Sequence, residues 1–145
     1  MRRRVHAPTL VLIACLAGSI VRVTDGPRDV IVAFGTALTS GKAHLLRPLL
    51  PTSGRIRLSL SRLGPEEGLF ASGQVEALFQ DFLSSSRVVS FEIVRSEGDG
   101  KHAALVHAAA AIVERDGRQV KIGFHFALQP EGERWVLREV KETSE

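Results

Sequence analysis

One cysteine, Cys15, stands in a chain of 145 residues, which excludes an internal disulfide framework and a cluster of thiolate metal ligands. An excess of one charge is missing as well. The formal charge of +3 comes from Arg2, Arg3 and Arg4 at the very start; without them, sixteen basic residues face sixteen acidic ones. Arg55, Arg57 and Arg62 lack the interleaved aromatics of a nucleic-acid platform, so no nucleic acid is expected as a partner. The apolar stretch over residues 9–21 ends at Arg22, short of the roughly 20 residues a membrane span requires. No G-x-S-x-G elbow and no phosphate-binding glycine loop after a strand is present. His6, His44, His102, His107 and His125 form no helical i,i+3 or i,i+4 pair, and Gly98-Asp99-Gly100 has too few oxygen ligands for calcium. Neither a metal nor a cofactor is expected.

What is present first is a targeting layout: the basic start, then the apolar stretch, then Arg22, Asp25 and Pro27. This predicts a secretory signal over residues 1–19 and a periplasmic or extracellular protein, touching membrane only through that signal or a lipid anchor. Ala17 and Ser19 supply the small residues for cleavage after Ser19. Leu12-Ile13-Ala14-Cys15 resembles a lipobox, which would instead make Cys15 a lipid-bearing N-terminus, although residues 16–21 stay apolar where lipoproteins turn polar.

The remainder, 26–141, reads as one domain without repeat or linker. Val30, Ala33, Phe34, Ala37 and Leu38 recur at helical spacing over 26–40, and a short helical piece follows over 42–50. Residues 55–61 alternate as a strand, 64–68 carry turn chemistry, and 73–84 form an amphipathic helix capped by Ser72. Four strands are predicted after that, over 88–95, 103–114, 118–128 and 134–141. Helices first and strands last predict an α+β fold, with N-terminal helices packed on the concave face of a curved, mainly antiparallel sheet.

In this order of elements the chain resembles the nuclear-transport-factor-2-like superfamily of cystatin-like α+β cones, and within it small secreted bacterial proteins of unknown function. The likeness spans roughly residues 27–141. It is most specific at Phe70-Ala71-Ser72-Gly73-Gln74-Val75-Glu76-Ala77-Leu78-Phe79-Gln80-Asp81-Phe82, leading into Ser90-Phe91-Glu92-Ile93, and at Trp135-Val136-Leu137-Arg138-Glu139-Val140. These motifs are structural. The resemblance implies fold and export and carries no activity across.

Asp116-Gly117 predicts a two-residue hairpin loop, which would pair Val113 with Val120 and His107 with Phe126. That register turns Leu105, His107, Ala109, Ala111 and Val113 toward the helices. Phe34, Phe79, His107, Phe124, Phe126, Trp135 and Glu139 then line the cone, around a small apolar ligand if it is open. In enzymes of the resembled fold, a His or carboxylate inside the cone acts as acid or base, which makes His107 the one catalytic candidate. A direct His107–Glu139 dyad is not expected, because a strand lies between them and their Cβ atoms would be about 10–12 Å apart. The plainer reading of His107 is a core-edge histidine bonded to a carbonyl or water. The opposite face would carry Val106, Ala108, Ala110, His125 and Arg138, a flat patch suited to a homodimer, as members of the superfamily often pair sheet to sheet. Three readings follow: a non-catalytic binding or interaction domain; a cone-pocket isomerase, dehydratase or hydrolase using His107; and a lipid-anchored structural envelope protein.

Overall fold

Pro27 and Asp29 start the first helix, α1 (Pro27–Thr39), where a fixed φ and a negative charge suit the helix N-terminus. In the computed structural model, which describes residues 26–63 and 67–144, α1 turns Val30, Ile31, Phe34, Ala37 and Leu38 inward. Gly41 follows in the left-handed region at φ +70°, and the Lys42 N–H returns to the Ala37 carbonyl at 3.0 Å. The next helical piece, Ala43–Leu49, is a 3-10 helix containing Pro48. The second helix, α2 (Ser72–Ser85), buries Val75, Phe79 and Phe82. Its cap lies one residue earlier than expected, at Ala71, whose N–H donates to Gln74 Oε1 at 2.9 Å. Ser72 instead donates its hydroxyl to the Pro51 carbonyl at 2.6 Å, tying α2 to the preceding loop.

The strands are β1 (Ile56–Ser59), β2 (Glu67–Phe70), β3 (Arg87–Gly98), β4 (Ala104–Val113), β5 (Gln119–Glu131) and β6 (Arg134–Thr143). They make one curved, unclosed sheet in the order β2-β1-β6-β5-β4-β3, antiparallel except where β1 runs parallel to β6. The helices pack on one face, so the expected α+β cone architecture is what forms. Part of the predicted 64–68 turn is strand β2; residues 64–66 lie outside the described residues.

The β4–β5 hairpin differs from the expected register by one residue. Glu114 N–H donates to the Arg118 carbonyl and Gly117 N–H to the Glu114 carbonyl, both at 2.9 Å. The loop is therefore Arg115-Asp116-Gly117, with Gly117 at φ +86°, a turn closed by a left-handed glycine. Val113 pairs with Gln119, and Ile112 with Val120. Because side chains alternate, that single extra residue moves all of β4 to the other face. Ala104, Val106, Ala108, Ala110 and Ile112 face the helices beside Ile122, Phe124, Phe126 and Leu128.

A bulge between Ala127 and Leu128 does the same to the end of β6. Leu128 pairs with Leu137 but Ala127 with Glu139, leaving Arg138 extra. Leu137 and Val140 are thus both in the core, and Glu139 turns outward.

The alanines of β4 have a packing reason. Ala110 sits between Phe91 and Ile122, and Ala108 between Ile93 and Phe124, so small side chains admit the large rings. Phe34 is the hub of those rings, with centroids 4.8 Å from Phe126, 5.5 Å from Phe79 and 6.0 Å from Phe91 and Phe124. Phe91 lies directly over Gly35 of α1, a contact that a Cβ at Gly35 would obstruct.

Candidate functional site

The residues expected to line a pocket fill the cone instead. Phe34, Phe79, Phe124 and Phe126 are each about 1% exposed and touch one another, while Trp135 packs half-buried against their cluster. Among the described residues, no polar or charged side chain is buried. His107 and Glu139, expected inside, lie on the outer face, for the register and bulge reasons given above. Val106, Ala108 and Ala110, expected on an outer patch, are core residues with at most 4% exposure. His125 does lie outside. Arg138 is engaged at the sheet's rim, donating to the Ser53 carbonyl at 3.1 Å and pairing with Glu131 at 3.6 Å. Val106, Ala108 and Ala110 therefore cannot form the outer patch predicted for pairing. Cys15 lies outside the described residues.

Two carboxylates that sequence reasoning passed over hold the rim of the fold. Glu131 accepts from the Thr52 N–H at 3.0 Å, the Thr52 hydroxyl at 2.7 Å and Arg134 at 2.9 Å. Those hydrogen bonds, led by the Thr52 backbone, pull its pKa down to about 2. Arg134 in turn donates to the carbonyls of Pro48 and Leu50. Glu142 accepts from the backbone N–H groups of Ser61, Arg62 and Leu63 at 3.0, 2.9 and 3.2 Å. Both are anchors that join loops to β5 and β6 through charge-assisted hydrogen bonds. Little in their sequence neighbourhood marks them, because the backbone groups they hold, at Thr52 and at residues 61–63, are about eighty residues away.

The chemistry-bearing side chains gather on the outer face of the sheet. Arg95 of β3 stands across from His107 of β4, His107 across from His125 of β5, and His125 across from Lys141 of β6. Neighbouring strands are about 4.8 Å apart, so the four form one continuous row. The two imidazoles meet edge to face with centroids 4.0 Å apart. A cavity of about 230 Å³ opens here, lined by Leu105, His107, His125, Ala127, Glu139 and Lys141 among others. The His125 pKa is lowered, first by partial burial and then by the charges of His107, Lys141 and Arg95. Glu139 leans toward Arg57 at 3.8 Å, and Arg95 toward Glu97 at 3.4 Å. His107 and Glu139 do share a face and a cavity, as expected, but it is the face away from the helices. Arg95 and Lys141 were missed because their row exists only in the shifted register. A signal for that register was available: one alternating set on β4 contains an imidazole and the other is wholly apolar, which favours the second as core.

Other depressions lie at the edges. One of about 270 Å³ runs between α1 and β3, past Val32, Thr36 and Ile93. Another, of about 530 Å³, lies near the start of α2 between Arg47, Glu76 and Arg134. Its walls are already joined, since Arg47 donates to both oxygens of Glu76 at 2.9 and 2.8 Å.

No protein-family model matches the sequence, and no curated protein does. Solved structures do match in shape. A domain of unknown function with a cystatin-like fold from Nostoc punctiforme superposes with a TM-score of 0.63 at 10% identity, over 81% of this chain and 74% of that one. A DUF4783 family protein from Bacteroides uniformis gives 0.62 at 11% identity, covering 79% and 95%. A hypothetical protein with a ketosteroid isomerase-like fold from Catenulispora acidiphila, solved in complex with trimethylamine, gives 0.61 at 12%, covering 79% and 84%. At such identities the likeness is one of fold alone. With its helices on one face of a curved six-stranded sheet, the chain has the nuclear-transport-factor-2-like, cystatin-like cone fold.

Proposed function

We propose that the chain is an exported, non-catalytic binding or interaction domain, in which the cone is a solid scaffold and contacts are made on its outside. One observation carries this reading: the interior that would hold a substrate is occupied by the rings around Phe34, with no ionisable group among them. Chemistry on a bound small molecule needs both a cavity and a positioned acid or base within reach. The reading as a cone-pocket isomerase, dehydratase or hydrolase has lost its residue, since His107 stands on the other face of the sheet.

The scaffold reading is tested with benzene as an apolar probe, followed through the aromatic NMR signals of Phe34, Phe124 and Phe126. The expected result is no saturable shift. Saturable shifts centred on those rings would mean an openable cone and would overturn the reading. Export rests on Arg2–Arg4 and the apolar run after them. Intact mass of the protein recovered from its native cells should begin at Ile20. A mass that retains Arg2–Arg4 would sink export, and one that begins at Cys15 with acyl chains would favour the lipid-anchored envelope protein.

A further inference from the structure

We infer that the row Arg95–His107–His125–Lys141 is a binding site for a compact oxyanion, a small molecule carrying a sulfate-, phosphate- or carboxylate-type group, and that acid strengthens it. This deepens the reading of the outer face as the working surface. The row supplies donors from four adjacent strands: Lys141 and the two imidazoles in the cavity wall, and Arg95 at the far end of the row, where it also pairs with Glu97. Ala109, Gly123 and Ala127 lie beside it and leave the sheet low, so a ligand can approach the imidazoles. The cavity of about 230 Å³ is the size of a small anion with its first waters, not of an extended polymer.

Charge selects the ligand. Two imidazoles 4.0 Å apart could be imagined holding a transition metal. Arg95 and Lys141 flank them, however, and the carboxylate that lines the cavity, Glu139, already faces Arg57. No group of three or more metal-ligating side chains occurs among the described residues. A cation would thus meet Lys141 in the cavity wall and Arg95 at the far end of the row, whereas an anion would meet these and the two imidazoles, with Glu97 and Glu139 each already beside an arginine.

The pH dependence follows from the same neighbours. Facing the imidazoles are Arg95 and its partner Glu97 on β3, Lys141 and Glu139 on β6, and Arg57 on β1 beside Glu139. Without ligand, partial burial first and then the charges of His107, Lys141 and Arg95 disfavour the His125 imidazolium and lower its pKa. A bound dianion reverses that balance. Linkage then requires the two effects to be reciprocal: anion raises the histidine midpoints, and protonation tightens the anion.

Sulfate is the probe, because it remains a dianion across the titration. Side-chain NMR is the readout, because sulfate raises melting temperatures without a site. At constant ionic strength in chloride, sulfate should raise the midpoints of His107 and His125 by about one unit and leave His44 and His102 unmoved. Binding at pH 5 should be about tenfold tighter than at pH 8, and Arg95→Gln or Lys141→Gln should each weaken it about tenfold. Both changes are at exposed positions, so the fold is retained, as backbone NMR would confirm. Equal shifts at all four histidines, or binding indifferent to both substitutions, would overturn the site. The benzene experiment would be unaffected, so failure here is distinguishable from failure of the solid-cone reading.

Discussion

Replacing Phe34 by alanine is expected to remove about 3–5 kcal/mol of stability, the range for truncating a buried phenylalanine. Phe34 is 1% exposed and its ring contacts Phe79, Phe91, Phe124 and Phe126, so the loss is shared among both helices' packing and two strands, β3 and β5. A domain of this size has roughly 5–15 kcal/mol in total, so the variant should unfold at far lower urea than the parent. The neighbours cannot collapse fully into the void, because Phe124 and Phe126 are held by the β4–β5 ladder and Phe79 by α2. The same variant should therefore bind benzene where the parent does not, which makes it the positive control for the solid-cone reading. Urea unfolding followed by far-ultraviolet circular dichroism gives the number. A loss below about 1 kcal/mol would mean that the ring is not the hub of the core.

Sequence periodicity revealed most elements because each is a local pattern. α1 and α2 carry apolar residues on one helical stripe, and β5 alternates Ile122, Phe124, Phe126 and Leu128 against Lys121, Gly123, His125 and Ala127. β2 was illegible: Glu67-Gly68-Leu69-Phe70 is four residues long, overlaps turn-like sequence, and finds its place only against β1. The parallel β1–β6 contact likewise joins residues about eighty positions apart, beyond any local pattern. The site failed for a subtler reason. Arg115-Asp116-Gly117 satisfies a two-residue and a three-residue loop almost equally, and the choice inverts β4. Both alternating sets on that strand are rich in small apolar residues, so only His107 in one of them marks which set faces out. The β6 bulge adds a second inversion, and together they carry His107 and Glu139 out of the cone. The expected register put His107 beside the rings; in the observed one it joins Arg95, His125 and Lys141.

The register can be decided by one pair of substitutions with opposite expected outcomes. Ala108→Arg should leave no cooperatively folded protein. Ala108 is 3% exposed, faces the helices, and lies between Ile93 and Phe124, where a guanidinium would find no acceptor. An unpaired charge in such surroundings costs several kcal/mol even after relaxation, and an overpacked core adds about 1–3 kcal/mol. Ala109→Arg, one residue further along, should fold normally. Ala109 points outward, stands opposite Glu92 on β3 and Gly123 on β5, and borders a depression of about 210 Å³ with Ser90 and Lys121. The new side chain has room there and a carboxylate across the strand, so stability should change by no more than about 0.5–1 kcal/mol. A two-residue loop at Asp116-Gly117 would exchange these roles, placing Ala109 among the rings and Ala108 in water. Soluble yield and a thermal melt of the two variants separate the cases. If Ala108→Arg melts like the parent while Ala109→Arg does not fold, the three-residue loop is wrong and the outer-face row of Arg95, His107, His125 and Lys141 falls with it.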